Sequence, residues 1–265
     1  MTDDLRLFLP VRILKKQWAE KFLEGSIRML SLNDYGIWNE DTKGQTKEKN
    51  NLYRHDLNEG TIRNINPKTG DFFPIVFSPE EKNGIQNFWY IDEDLRYFKI
   101  YCMYCFTYNT NKKEFERPDK KLIEFGDTAV IIYDLKEFMY RIAKSLFDRF
   151  GDNANMEIKE VQYYDIIKDF GNFDIFCKEK RYGWQNEIRI AIGLTDNNEI
   201  IIDEKGRQLK ALIRDISPLT IEIGSIKDIA ISISTEDLID LKLPSGFVLP
   251  DNCFANTLFS KTSSH

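Results

Sequence analysis

Lys180-Arg181-Tyr182-Gly183-Trp184-Gln185-Asn186-Glu187-Ile188-Arg189-Ile190-Ala191-Ile192 is the most informative segment of the chain. Side chains alternate across a strand. Read as a strand, this segment puts Gln185, Glu187 and Arg189 on one face and Ile188, Ile190 and Ile192 on the other. A core-facing isoleucine row pins the register, because a slip by one residue would bury the charges. The amide, carboxylate and guanidinium then form a rigid polar row, which is either a solvated sheet face or the floor of a site.

Around it the chain reads as strand-rich. Leu5 to Leu14 is apolar and interrupted by Pro10, which suits an edge strand or a bent entry segment. Lys15 to Glu24 has helical spacing with Leu14, Trp18 and Phe22 on one stripe, and Gly25 is a natural stop. Ser26 to Leu30 alternates, with Ile27 and Met29 facing one way and Arg28 the other. Short strands are expected at Phe72–Phe77 and Asn87–Ile91, a buried strand across Phe98–Thr107, and a β-branched strand at Asp127–Tyr133. Leu135 to Phe150 is the clearest helix, with Leu135, Phe138, Met139, Ile142, Leu146 and Phe150 in one stripe. Further strands are expected at Met156–Tyr164, Trp184–Leu194, Glu199–Ile202, Thr220–Ile223 and Asp228–Ser232, with a hairpin turn at Asp196-Asn197-Asn198 and a short helix at Glu236–Leu241.

Residues 39–51 and 109–121 read as polar loops and 258–265 as a frayed tail. Strands do not alternate regularly with long helices, so a doubly wound parallel sheet is not expected. No repeat, heptad or Pro/Gly-rich linker divides the chain. The fold class is α+β: a single domain, residues 1–265, built on mainly antiparallel sheet with a few flanking helices.

Composition narrows the classes of function. With 37 basic and 43 acidic side chains the net charge is −6, so broad nucleic-acid binding is not expected. No apolar run approaches a bilayer's span, and Met1-Thr2-Asp3-Asp4 lacks the basic-then-apolar order of a secretion signal. A cytoplasmic protein without membrane partners is the expectation. Cys102-Met103-Tyr104-Cys105 has the spacing of a zinc or redox pair. On a strand that odd spacing sends the two sulfurs to opposite faces, and no second Cys/His pair stands at ligand spacing, so no structural zinc is expected.

A second concentration of chemistry is Tyr53-Arg54-His55-Asp56-Leu57-Asn58-Glu59-Gly60. His55 is the one internal histidine, and imidazole is the side chain whose reference pKa lies near neutrality. Its plain reading is a surface histidine in a charged loop. The alternative is that it joins Arg28 and Tyr35 opposite the Gln185/Glu187/Arg189 row. No dinucleotide glycine fingerprint, P-loop, nucleophile elbow or His-Glu-x-x-His is present.

Gly25-Ser26-Ile27-Arg28-Met29-Leu30, the Arg54-His55-Asp56-x-x-Glu59-Gly60 segment and Tyr182-x-x-Gln185-x-Glu187-x-Arg189 resemble a group of bacterial and phage proteins. That group opens on a short strand, carries an Asp/Glu-Gly segment and ends on a late Glu-x-Arg strand; the likeness implies no activity. The chain is also distantly similar to ADP-ribosyltransferase-like folds, which use a basic residue on an early strand, an aromatic or hydroxyl residue in the middle and a late glutamate. Arg28, Tyr35 and Glu187 would fill those places, although no Ser-Thr-Ser stretch is present. Gln185-x-Glu187 matches an acceptor-orienting amide two residues before a catalytic glutamate.

The resemblance implies a nucleotide-recognising protein of phage–host conflict, with an ADP-ribosyltransferase-like activity on NAD as substrate. Glu187, Gln185 and His55 would be catalytic, and Arg28, Tyr35, Arg54, Asp56, Glu59 and Arg189 would bind substrate. Glu187 would stabilise positive charge developing on the ribose, and Arg28 or Arg54 would hold the pyrophosphate. Two other readings stand beside it. One is a non-enzymatic module that binds and inhibits a protein partner. The other is a carboxylate metal site at Asp56, Glu59 and Glu187.

Overall fold

The computed structural model describes residues 6–35, 61–65, 88–91, 93–165, 168–169, 171–202, 208–245, 247 and 254–255. The expected loop 39–51, the strand Phe72–Phe77 and the tail 258–265 lie outside them. The strands are β1 (Arg6–Leu14), β2 (Ser26–Ser31), β3 (Thr61–Ile65), β4 (Phe88–Ile91), β5 (Lys99–Asn109), β6 (Glu114–Phe115), β7 (Thr128–Ile132) and β8 (Ala154–Glu160). They continue with β9 (Gln162–Tyr164), β10 (Gly171–Asn172), β11 (Cys177–Glu179), β12 (Glu187–Ile202), β13 (Gln208–Leu212), β14 (Leu219–Glu222), β15 (Ala230–Ser234) and β16 (Phe254–Ala255). The helices are α1 (Lys16–Leu23), α2 (Leu32–Tyr35), α3 (Leu135–Phe150) and α4 (Thr235–Ile239).

The main sheet runs β13-β12-β5-β1-β7-β15 and its pairings are antiparallel; β9 and β11 form a separate parallel pair. The fold is therefore α+β on mainly antiparallel sheet, as the strand-rich pattern leads one to expect.

Both faces of the sheet are covered. On one face Tyr101, Met103 and Cys105 of β5 and Ile188, Ile190 and Ile192 of β12 pack with Phe22 of α1 and Phe138, Ile142 and Leu146 of α3. On the other, Val11, Ile13, Tyr104 and Phe106 pack beneath Leu122 and Leu238. Burial on both faces is why β5 reads as a continuous apolar run rather than an alternating one. Helix α3 is entered through Asp134, whose carboxylate accepts from the Glu137 amide at 2.9 Å. Gly25, at φ +98, ends α1; a Cβ there would stand 2.0 Å from the Gly224 carbonyl oxygen, so glycine is required twice over.

Several local expectations change. β1 is an interior strand, not an edge. Pro10 is tolerated because β7 pairing starts at Val11 and the described β16 pairing covers only Leu7 and Phe8. Trp18 is 46% exposed; Ala19 and Phe22 are the buried residues of α1. The polar segment 109–121 is partly ordered into β6 and the start of a 3-10 turn at Lys120–Phe125. Asp196-Asn197-Asn198 is no hairpin turn: β12 runs through it as a register shift against β13, because the tertiary partner supplies backbone pairing on both sides of the irregularity. Met156–Tyr164 divides into β8 and β9, at Val161.

Among the described strands the topology leaves an opening beside β5. Along one edge of β5, β1 pairs as far as Val11 opposite Tyr104, and β2 resumes at Leu30 opposite Ile100. Residues 101–103 face the gap between these two strands, and Arg12 enters it: its Nη1 donates to the Cys102 carbonyl and its guanidinium lies 4.6 Å from the centre of the Tyr101 ring.

Candidate functional site

The site begins at a break in the expected strand. Lys180–Gln185 is a 3-10 turn, not strand, and β12 starts only at Glu187. Asn186 between them is left-handed, with φ 36. Asparagine tolerates that conformation better than most residues, and here its amide is held by β5. Nδ2 donates to the Cys105 carbonyl at 2.6 Å and to Thr107 Oγ1 at 3.2 Å, while the Asn186 carbonyl accepts from Cys105 N at 2.7 Å.

This kink aims Gln185 and Glu187 at one cation despite the change of backbone. Lys178 Nζ, from β11, donates to Gln185 Oε1 at 2.8 Å and to Glu187 Oε2 at 3.1 Å. Arg189 closes the cluster from the next position on the same face. Its Nε and Nη2 each lie 2.9 Å from Glu187 Oε1, and Nη1 donates to the Ile175 carbonyl. The Glu187 amide donates to the Tyr163 hydroxyl at 2.9 Å. Lys178, Gln185, Glu187 and Arg189 are all buried, Arg189 to 1% exposure.

Two cations and one carboxylate in a water-poor site set each other's ionisation. Burial pushes the Glu187 carboxyl up, but Arg189 and Lys178, with hydrogen bonds from Cys102 and Lys178, outweigh it and hold the group at about 2. The Cys102 thiol is pushed up to about 12 by burial and by the Glu187 charge. Burial and Glu187 likewise raise the Tyr163 hydroxyl well above the usual phenol range. Glu187 is thus a fixed anion inside a hydrogen-bonded frame, and Cys102 is a neutral thiol.

The cluster forms one wall of a cleft of about 350 Å³ at the gap between β1 and β2. Arg12, Cys102, Tyr104, Leu30, Asp34 of α2 and Phe125 line it. The Asp34 carboxylate accepts from Ser31 N at 3.2 Å and Ser31 Oγ at 3.1 Å. Phe125 stacks on Trp184 with ring centres 5.7 Å apart.

Of the residues singled out in the sequence, Gln185, Glu187 and Arg189 meet here, with Gln185 and Glu187 on the cleft wall. Arg28 does not line it. It is exposed on β2, in register with Thr220 of β14. Tyr35 closes α2, but its side chain is outside the described residues, as are Arg54, His55, Asp56 and Glu59. The two cysteines of Cys102–Cys105 do face opposite ways: Cys105 lies in the α3 side of the core and Cys102 beside Glu187.

Lys178, Arg12, Cys102 and Asp34 are the residues that sequence reasoning missed. Arg12 had a signal, being a lone charge inside Leu7–Leu14. Lys178 had little, since it sits between Cys177 and Glu179 in a short segment whose parallel pairing with β9 is a tertiary matter.

Among the described residues no helix is long and apolar enough to cross a membrane, and no group of three or more His, Cys, Asp and Glu could hold a metal ion. The surroundings of Glu187 are also wrong for a divalent cation, because Lys178 and Arg189 would repel it. The fold and site define an α+β protein with a buried ion cluster beside a cleft. The chain matches no family model, no curated protein and no solved structure.

Proposed function

We propose that the protein recognises a nucleotide-class ligand in the cleft between β1 and β2. The observation that carries this reading is the cleft itself. It combines an apolar wall and aromatic rings with a few fixed polar groups, Arg12, Lys178, Gln185 and Glu187, which is the usual make-up of a small-molecule site. The setting of phage–host conflict rests on the resemblance alone and is part of the proposal.

Binding without turnover fits the charges best. Both Glu187 oxygens already accept from cations, so much of the field that would stabilise an oxocarbenium ion is spent on Lys178 and Arg189. One observation favours the transferase reading on NAD: a carboxylate held at about 2 stays ionised under all physiological conditions and lines the cleft beside Gln185.

Glu187→Gln separates the two. NAD⁺ consumption and protein-linked ADP-ribose are measured for the wild type and the variant, beside calorimetric titration of nucleotides. A binding protein shows saturable nucleotide binding and no NAD⁺ turnover. A transferase shows turnover that falls by ~10²–10³-fold in the variant. A wild type that binds no nucleotide but forms a stable complex with a phage or host protein favours the inhibitor module instead.

A further inference from the structure

The charged side chains that line the cleft balance in number, and this bears on which part of a nucleotide it takes. The charged residues on its wall are Arg12 and Lys178 against Asp34 and Glu187, which cancel. Each is already engaged by the fold: Arg12 with the Cys102 carbonyl, Lys178 with Gln185 and Glu187, Asp34 with Ser31, and Glu187 with Lys178 and Arg189. A pyrophosphate site has the opposite character, with excess cationic donors and backbone amides converging on the anion. Around these ions the wall is apolar or aromatic, through Val11, Leu30, Met103, Tyr104 and Phe125. At about 350 Å³ the cleft also stands at the small end of the ~300–1,000 Å³ typical of ligand sites.

We propose, resting on the nucleotide-class reading, that the moiety held in this cleft is an uncharged, nucleoside-sized heteroaromatic and that phosphate groups are not read there. The ring packs against the apolar wall, with its polar edge beside Gln185. A dinucleotide would have to leave its pyrophosphate and second nucleoside outside, where they add nothing to affinity.

Isothermal titration of the full chain with adenosine, guanosine, cytidine and uridine, against AMP, ADP-ribose and NAD⁺, tests this. The expected result is a nucleoside that binds at least as tightly as any phosphate-bearing compound with the same base, because groups held outside the cleft add nothing. Its Kd should change by less than about twofold between ~50 and ~500 mM salt, because no net charge is exchanged. Tighter binding of AMP, ADP-ribose or NAD⁺ than of the nucleoside overturns this inference while leaving the nucleotide-class reading in place. If none of the compounds binds, both fall. Leu30→Trp fills the cleft from a residue outside the ion cluster and should abolish nucleoside binding. Far-UV circular dichroism and thermal melting establish that the variant is folded, and a folded variant that binds as the wild type does places the ligand elsewhere and overturns the inference.

Discussion

Glu187 carries its negative charge between two buried cations, so its removal exposes what the cluster costs. Glu187→Gln keeps size and leaves Lys178 and Arg189 buried beside a neutral amide. Breaking a buried ion group in this way should destabilise the fold by about 3–5 kcal/mol, read as a lower urea midpoint. The loss should depend on pH. The carboxyl titrates near 4.5 when unfolded and near 2 when folded, so its contribution is complete above the unfolded value and is lost as pH falls toward 2. The stability gap between wild type and Glu187→Gln should therefore narrow from pH 5 to pH 2, and a gap that stays constant contradicts the placement. A second consequence concerns Cys102. With its thiol pushed up to about 12, almost no thiolate exists near neutrality. Iodoacetamide at pH 8 should leave Cys102 unmodified in the native protein and label it after denaturation, as followed by peptide mass spectrometry.

Among the elements, α3 is the one whose sequence and structure coincide residue for residue. Its apolar positions recur at helical spacing, Asp134 caps its start, and Gly151 follows its last turn. Ile142 is fully buried against the sheet, so Ile142→Ala should cost about 2–5 kcal/mol, while Asp134→Ala should cost about 1 kcal/mol by removing the cap. Equal midpoint changes for the two would contradict this ordering. The isoleucine row of β12 was legible from its period of two, but the opposite face is buried as well: the register that points the isoleucines into one core layer also buries Glu187 and Arg189, against the expectation that it would spare the charges. The start of that strand was not legible. Tyr182 and Gln185, three positions apart, would point to opposite faces of a strand; both are buried because the chain there is a 3-10 turn, with the left-handed Asn186 anchored on Cys105 and Thr107 of a strand some eighty positions away. The turn at 196–198 failed similarly. Polar residues that favour turns also occur at irregularities within a strand, and only the pairing with β13 distinguishes the two.

The molecule as a whole converts these local features into a cleft. The gap along β5 exists because β1 leaves at Val11 before β2 arrives at Leu30, and no property of either strand alone predicts it. Filling that gap by Leu30→Trp should raise or leave unchanged the melting temperature while removing ligand binding, which dissociates the cleft's role from the fold's. Helix α3, the isoleucine row of β12, the α+β class and the buried character of β5 follow from periodicity and composition, which act over a few residues and survive in a linear reading. The ion cluster does not. Its members come from β5, β11, the 3-10 turn and β12, and whether Glu187 faces solvent or Lys178 depends on which segments cover that face of the sheet. Burial and charge pairing are long-range quantities, and the chain acquires them only when its strands are assembled.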